Sequence, residues 1–409
     1  MEARLHGRFP WPLVVLALVA AGATRTPALL IVAAGGIVSW LIVELTARLA
    51  LLALDVTLEV GPERLVAGET ATLVVTLTNR KPLAVPWLEV SLALPEGVRL
   101  VAEGVDALPR ASLRATIAPR RHERVVLRFP ILLRDRGAYA FGPLALRSGD
   151  WLGFVQAERV VACASSLVAY PSRVALADHH RPSLRPLAET AARRGLVPDP
   201  LRFRGVRAHE AGDPRKEIHW KLSARLGALQ TKLYEPATSL DAVFLVNVAS
   251  YEQYWVIADP GSVELVIAAT AELVRLAAGA GRQVGLVTNG IDRLTHARPR
   301  SPVGRGPRAV GRTLEILARL GPYAVAAPET VFLRERGHLP WGATLVVVTP
   351  ILSEGFAGAI AALRRAQHRV LTLTVTPPES RVAAQLRAAG VQVEALGGRV
   401  EGLVIDAAL

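Results

Sequence analysis

The residues most able to do chemistry are gathered between Leu201 and Glu235. His209, Glu210, Asp213 and His219 could carry protons. Arg207, Arg215, Lys216, Lys221, Arg225 and Lys232 could hold an anion or an acidic partner. A general acid or base works only within hydrogen-bond reach of its proton, so spacing decides what such groups can do. The chain shows no Ser/His/Asp order, no Walker loop and no paired-carboxylate motif. Gly304-Arg305-Gly306 and Gly279-Ala280-Gly281 are too short to cradle a phosphate. A hydrolase centred on Asp213 and His219 is the enzymatic alternative. Turn chemistry is the stronger reading of Gly212-Asp213-Pro214: Gly permits positive φ, Asp accepts local backbone bonds and Pro pre-sets φ. Asp213 is therefore expected to N-cap a short helix with Pro214 at its first position. Ile218, Trp220, Leu222 and Leu226 can pack while the cations project.

Lysine usage singles out the same stretch. Of the 48 Lys and Arg residues, Lys occurs only at 81, 216, 221 and 232. Against an Arg background, three compact ammonium groups in one stretch point to a need for that shape, since the two cations differ in geometry and hydration.

The stretch resembles the core of the bacterial family called domain of unknown function 58. The matching residues are Arg207, Gly212, Asp213, Ile218, Trp220, Lys221, Ala224 and Arg225. Ala208-His209 stands where the family has Glu-Tyr, and Lys216 where it has Arg. Flanking phrases resemble the family too, among them Arg136 to Pro143 and Ser148 to Phe154, so the resemblance covers nearly the whole chain. It implies a fold and a membrane location and no reaction.

The elements that must position this stretch follow from pattern. Length alone suggests two soluble domains and an accessory segment. Hydrophobic residues make up 51% and aromatics only 5%, so Ala, Val and Leu carry burial. The net charge of +13 fits anionic lipid, nucleic acid or an acidic protein, or else a solvated Arg-rich surface. Basic runs are short, Pro119-Arg120-Arg121 being typical, which disfavours nucleic acid. Cys163 is the single cysteine and sits in a small apolar run, so no internal disulfide forms and a buried structural thiol is expected.

Residues 1–54 read as a two-span transmembrane anchor. Pro10 to Ala23 falls short of the ~17–25 residues that cross a bilayer, and Pro27 to Val43 just reaches them. Phe9, Trp11 and Trp40 lie near the run ends, as in an aromatic belt. Glu44 and Arg48 can pair at helical spacing. Arg4 and Arg8 outnumber Arg25, which places tail and body in the cytoplasm at the inner membrane. Ala21-Gly22-Ala23 also resembles a signal cleavage site; cutting there would leave the second run as an anchor.

Residues 55–170 read as an antiparallel β-sandwich. Val56 to Val60, Thr70 to Thr78, Trp87 to Leu94, Val125 to Phe129 and Tyr139 to Leu146 are short, mostly alternating runs between turn residues. Asp150 and Trp151 read as turn and anchor. Asp178-His179-His180 lacks a second ligand cluster and reads as a solvated loop. Residues 171–238 are then linker and core motif, with Arg181 to Pro200 rich in breakers.

Residues 239–409 alternate strand and helix, as in a doubly wound parallel sheet. Expected strands are Ala242 to Val248, Val284 to Thr288, Thr344 to Thr349, Val370 to Thr376 and Val391 to Leu396. Helices are expected from Asp259-Pro260 to Leu276, Ala309 to Leu320, Glu354 to Gln367 and Ser380 to Ala389. The order resembles a von Willebrand A-like domain, whose first strand ends in a metal-holding Asp-x-Ser-x-Ser. Here the positions are Asn247, Ala249 and Tyr251, an amide, a methyl and a phenol. Thr349-Pro350 supplies no further carboxylate. A hard cation needs oxygen ligands, so the site should bind Mg²⁺ poorly, and no cofactor is implied. Ser250 could still hydrogen-bond a partner at the crevice.

The function expected is that of a non-enzymatic, membrane-anchored interaction protein. Its partner-binding residues would be Arg207, Asp213, Arg215, Lys216, Trp220, Lys221, Arg225, Lys232 and Ser250. The resemblance implies a MoxR-type AAA ATPase as partner. Binding to anionic lipid or nucleic acid at the membrane surface is the further alternative, marked by steep salt dependence.

Overall fold

The structure is a computed structural model. It describes residues 4–7, 11–24, 27–102, 105–108, 112–150, 155–174, 198–210, 213–236, 241–340, 342–366 and 368–396. The chain divides into two compact units, Met1–Tyr170 and Pro171–Leu409. Trp151, Asp178-His179-His180, Gly212 and residues 181–197 of the expected linker lie outside the described residues, as does the side chain of Arg48.

In the first unit the two apolar runs are helices α1 (Trp11–Thr24) and α2 (Pro27–Ala50). Their pairing depends on Gly36, where a Cβ would come within 2.8 Å of Val14 Cγ2. Among the described residues, α2 alone is long and apolar enough to cross a membrane by length and composition, through Leu30–Ala47 at mean hydropathy 2.0. α1 has 14 residues, too few for a bilayer core of ~30 Å at ~1.5 Å per residue.

The alternating runs form two antiparallel sheets facing each other over one apolar core. One sheet has the order Arg4–Gly7, Val155–Val161, Leu144–Gly149, Leu88–Ala93, Ser112–Ile117. The other has Leu54–Gly61, Thr70–Asn79, Arg124–Leu133, Val98–Ala102, Val105–Leu108. A small third sheet joins Gly137–Phe141, Ser165–Tyr170 and Arg64–Val66. Leu73, Val75, Leu88, Val90, Leu144 and Leu146 alternate inward, as period-two burial requires. The run expected from Tyr139 to Leu146 is broken at Gly142, whose φ of +113° and closeness to the Cys163 carbonyl admit no side chain. Asp150 is buried, and its Oδ1 accepts the Val155 N–H at 2.7 Å.

Both ends of the helical hairpin are fastened to this sandwich. Arg4–Gly7, just before α1, pairs antiparallel with residues 155–158. After α2, three residues lead into Leu54–Gly61. The last turn of α2 is held by cations. Lys81 Nζ donates to Leu49 O at 2.5 Å and to Ala50 O, and Arg159 Nη1 donates to Leu51 O at 3.0 Å. Unsatisfied carbonyls at a helix C-terminus favour such donors.

Burial pulls the Lys81 ammonium down to about 8. The unfolded chain keeps that proton up to ~10.4. Between these values the unfolded state binds more protons, so stability rises with pH. Lys81→Met strands both carbonyls at a cost of about 1–3 kcal/mol. Thermal unfolding of the full chain in micelles between pH 7 and pH 10 should show the wild type gaining on the variant as pH rises; the pH scale is the ~8 to ~10.4 window extended downward.

The second unit contains a two-stranded ribbon and an α/β sheet. The ribbon pairs Pro198–Ala208 with Gln230–Pro236. Labelling only the α/β sheet, its strands are β1 (Asp241–Val246), β2 (Gln283–Thr288), β3 (Arg300–Gly304), β4 (Thr344–Thr349), β5 (Arg369–Thr374) and β6 (Gln392–Ala395). Their order is β3-β2-β1-β4-β5-β6, with β3 antiparallel and the rest parallel. In the ribbon's connection lies α3 (Trp220–Leu226), followed in the chain by α4 (Pro260–Gly279), α5 (Pro307–Arg319), α6 (Pro328–Glu335), α7 (Glu354–Arg365) and α8 (Ser380–Ala388). α6, α7 and α8 pack on Val243, Leu245, Leu345 and Val347. The alternate residues Phe244, Val246, Val346 and Val348 are also buried, on the face that α4 and α5 cover. Asp259 N-caps α4, accepting from Ser262 N at 2.8 Å. β3, α6 and the short pair Gly290–Asp292 with Leu320–Ala324 were not expected from pattern; the last begins where a helix was expected to end.

Candidate functional site

The core stretch is a ribbon whose two strands are bridged by a compact connection, and Asp213 ties it together. Asp213 Oδ1 accepts from Arg207 Nη2 at 2.6 Å. Its Oδ2 accepts from Glu210 N and from Thr231 Oγ1, each at 3.0 Å. His209 Nδ1 lies 3.0 Å from Thr231 Oγ1 and 3.7 Å from Asp213 Oδ2. The Arg207 hydrogen bond, then the Glu210 N–H and the Thr231 hydroxyl, hold the Asp213 carboxyl well below the usual carboxylate range. Asp213 thus reaches back to residue 210 and does not cap the turn that follows. That turn, Arg215–Glu217, begins at Pro214 without a side-chain cap.

The cap of α3 is His219, whose Nδ1 accepts the Leu222 N–H at 3.1 Å. Ser223 Oγ donates to His219 O at 3.0 Å and accepts from Gln230 N at 2.8 Å, fixing α3 to the second ribbon strand. Gly227 ends the helix at φ +67°, the left-handed geometry glycine tolerates. Both groups of the hydrolase alternative are therefore engaged in holding the connection.

An acid carboxyl depressed on folding stabilises above its unfolded value of ~3.9 and loses that contribution as pH falls below it. The segment 205–233 should therefore open in acid, and Asp213→Asn should remove that dependence. Hydrogen exchange of this segment in the full chain between about pH 5 and pH 3, bracketing the unfolded carboxyl value, is the measurement.

The outward face is different in character. Trp220, at the start of α3, is 65% exposed. Arg215, Lys216, Lys221 and Arg225 are exposed, and Lys232 is half-buried opposite Val206. Leu226, Leu229 and Leu233 are also exposed, as is Phe203, whose ring stands 6.5 Å from Tyr234 and 6.1 Å from His219. Trp220, able to pack by type and also counted among the partner-binding residues, faces solvent; Ile218, two residues earlier, takes the inward place and bridges to Thr231. Phe203, Ser223 and Thr231 had not been singled out from the sequence. Period-two placement of Phe203 beside Gly205 was the available signal.

The end of β1 forms a second polar cluster. Asn247 Oδ1 accepts from Ala249 N at 2.9 Å and from Asn289 Nδ2 at 2.8 Å. Its Nδ2 donates to Ala249 O at 3.2 Å and to Thr349 Oγ1 at 2.9 Å. Asn289 Oδ1 accepts the Val248 N–H at 3.0 Å. Asn247, Asn289 and Thr349 are all buried. An amide cross-link thus joins β1, β2 and β4 at the point where strand order reverses, the crevice of such sheets. Ser250 is buried beside it with its hydroxyl unbonded among the described residues, and Tyr251 is exposed. Among the described residues no cluster of three or more His, Cys, Asp or Glu gathers.

Residues 205–390 match the family model described as protein of unknown function DUF58. The match takes in the connection built on Asp213 and the α/β sheet up to α8, somewhat under half of the chain. The uncharacterized protein YeaD of Bacillus subtilis (strain 168) is 23% identical over 299 residues, covering 69% of each chain. Among solved structures, the CARDB domain of a Pyrococcus furiosus protein is 16% identical over 28% of this chain and 93% of that one, with a TM-score of 0.19. A non-cellulosomal cohesin from Archaeoglobus fulgidus is 12% identical over 28% of this chain and 91% of its own, at 0.20. At such scores neither likeness carries a fold argument.

Proposed function

We propose that this chain is a membrane-anchored docking protein whose core stretch grips another protein. The observation that carries this is Trp220: a large aromatic left in solvent on a short helix that His219 and Ser223 hold rigid. An exposed Trp on a capped helix, in a stretch with exposed Arg215, Lys216, Lys221 and Arg225, has the composition of a binding hot spot. Asp213 and Arg207 serve this face by setting its geometry, and Lys216, Lys221 and Arg225 supply charge for an acidic partner surface. The chemistry is recognition, with no reacting group assigned.

The α/β sheet is read as von Willebrand A-like. Supporting this are the strand order, the antiparallel β3 at its edge and the position of Asn247 after β1. Asn247 Nδ2 bonds oxygens that a cation would otherwise gather, so the crevice works without Mg²⁺. Since α1 is too short to span, the anchor is read as a hairpin that dips into the bilayer and returns the chain to the cytoplasmic side. The fastening of Arg4–Gly7 and Leu54–Gly61 to one sandwich supports a return to the same side. By the family resemblance, the partner is a MoxR-type AAA ATPase.

The test is cross-linking and capture of the intact chain from its own membrane. A MoxR-type ATPase should be captured by the wild type and depleted by Lys221→Ala. Equal capture by both, or a captured set without such an ATPase, counts against the reading.

A further inference from the structure

The amino ends of the parallel strands bring two guanidinium groups to one face of the α/β sheet. The register sets Val284, Ala242, Thr344 and Arg369 side by side across β2, β1, β4 and β5. That row lies on the face of Phe244 and Val346, which α4 and α5 cover. Arg282, two residues before Val284, alternates to the same side. It is only 5% exposed, and among the described residues its guanidinium has no hydrogen-bond or ion-pair partner. Burial, and then the nearby charge of Arg369, hold the Arg282 guanidinium below its ordinary value. Arg369 is half-buried, and burial followed by the charge of Arg364 lowers it too.

The neighbouring acceptors are turned away or engaged. Asp241, at the start of β1, stands in register with Gln283, one row off, and so alternates to the opposite face. Glu272 on α4 pairs with Arg275 at 3.3 Å. The last carbonyls of α4, those of Leu276, Ala277 and Ala278, accept the backbone N–H groups of Ala280, Arg282 and Gly281. A buried charge is costly unless it is paired and hydrogen-bonded.

We propose that Arg282 and Arg369 flank a binding site for one small tetrahedral oxyanion such as inorganic phosphate, with the hydroxyl of the buried Thr344 between them as a further donor. Only Ala242 and Thr344 stand between the two cations across the sheet, and both are nearly closed off from solvent. A guanidinium presents paired N–H donors that match the oxygens of such an ion. So little of Arg282 meets solvent that a macromolecular surface does not reach it, whereas a small ion does. The site lies at the edge of the sheet opposite the Asn247 crevice and is independent of docking through Trp220.

The test is thermal unfolding of the full chain in detergent micelles, titrated with sodium phosphate against sodium chloride of equal ionic strength. Phosphate should raise the midpoint by several degrees and saturate. Arg282→Gln should abolish that rise, and in chloride alone its midpoint should equal or exceed the wild type, since an unpaired buried charge has been removed. Thr344→Val, which keeps the shape of the strand, should weaken the apparent phosphate affinity severalfold. Arg305→Gln, at an exposed cation just past β3, should leave the response intact. A rise no larger than that in chloride, one that survives Arg282→Gln, or one lost equally in Arg305→Gln overturns the proposal. An Arg282→Gln chain less stable than wild type in chloride overturns it as well, because the guanidinium then has a partner within the protein.

Discussion

Trp220→Ala should weaken partner capture by about 30-fold or more, the equivalent of roughly 2 kcal/mol for a hot-spot aromatic. The effect should fall on binding and leave folding intact. Trp220 is 65% exposed, so its removal opens no core cavity. The helix below it is held by contacts the substitution spares: the His219 cap, the Ser223 hydroxyl and the Ile218 bridge to Thr231. Titration of the captured partner against wild-type and variant chain gives the ratio, and the unfolding midpoint of the variant should match the wild type. Unchanged affinity would remove the main support for docking through this face. A lowered midpoint would mean that the ring packs in solution and that its exposure has been misread.

Asn247→Asp should cost about 2–4 kcal/mol, because it leaves a buried group with acceptors facing acceptors. The amide nitrogen now donates to Ala249 O and Thr349 Oγ1, and Thr349 Oγ1 has its own hydrogen committed to Ile351 O at 2.6 Å. A carboxylate in that place faces lone pairs. Its remaining donors, Ala249 N and Asn289 Nδ2, offset only part of the loss. Burial should raise the new carboxyl, so the variant loses stability as pH climbs above ~3.9. Unfolding of the full chain at acid and neutral pH measures both the size and the sign. Mg²⁺ should not rescue the single substitution, since Ala249 adds no side-chain oxygen and Tyr251 only a neutral, solvent-facing phenol. Combining it with Ala249→Ser and Tyr251→Ser should restore a response to Mg²⁺. A Mg²⁺ response in the wild type would refute the amide reading.

Period and burial made the frame legible from residues alone. Thr344–Thr349 is a strand over the expected residues because six consecutive apolar or hydroxyl residues, covered on both faces, leave no other solution. Asp259-Pro260 marked a helix start because capping is local chemistry. What escaped the sequence depends on contacts far apart in it. Asp213 was read forward, as a cap, because its actual partners Arg207 and Thr231 lie on opposite strands of a ribbon not yet formed. The sequence offers both Ile218 and Trp220 as residues able to pack and Trp220 also as a partner contact, because hydrophobicity alone does not say which of the two faces in; Ile218 does. Arg120-Arg121 is no tract in the sequence. It becomes a charged surface only when the loops at 79–85 and 119–123 meet.

The closure of the α1–α2 hairpin onto one sandwich has a mechanical consequence. A tethered domain usually swings on a flexible leash, but here both strands flanking the hairpin are stitched into the sandwich and the α2 terminus is clamped by Lys81 and Arg159. If α2 enters a bilayer as proposed, a tilt that bilayer thickness or tension imposes on it meets a helix end already clamped by Lys81 and Arg159. It passes into the sandwich as torque.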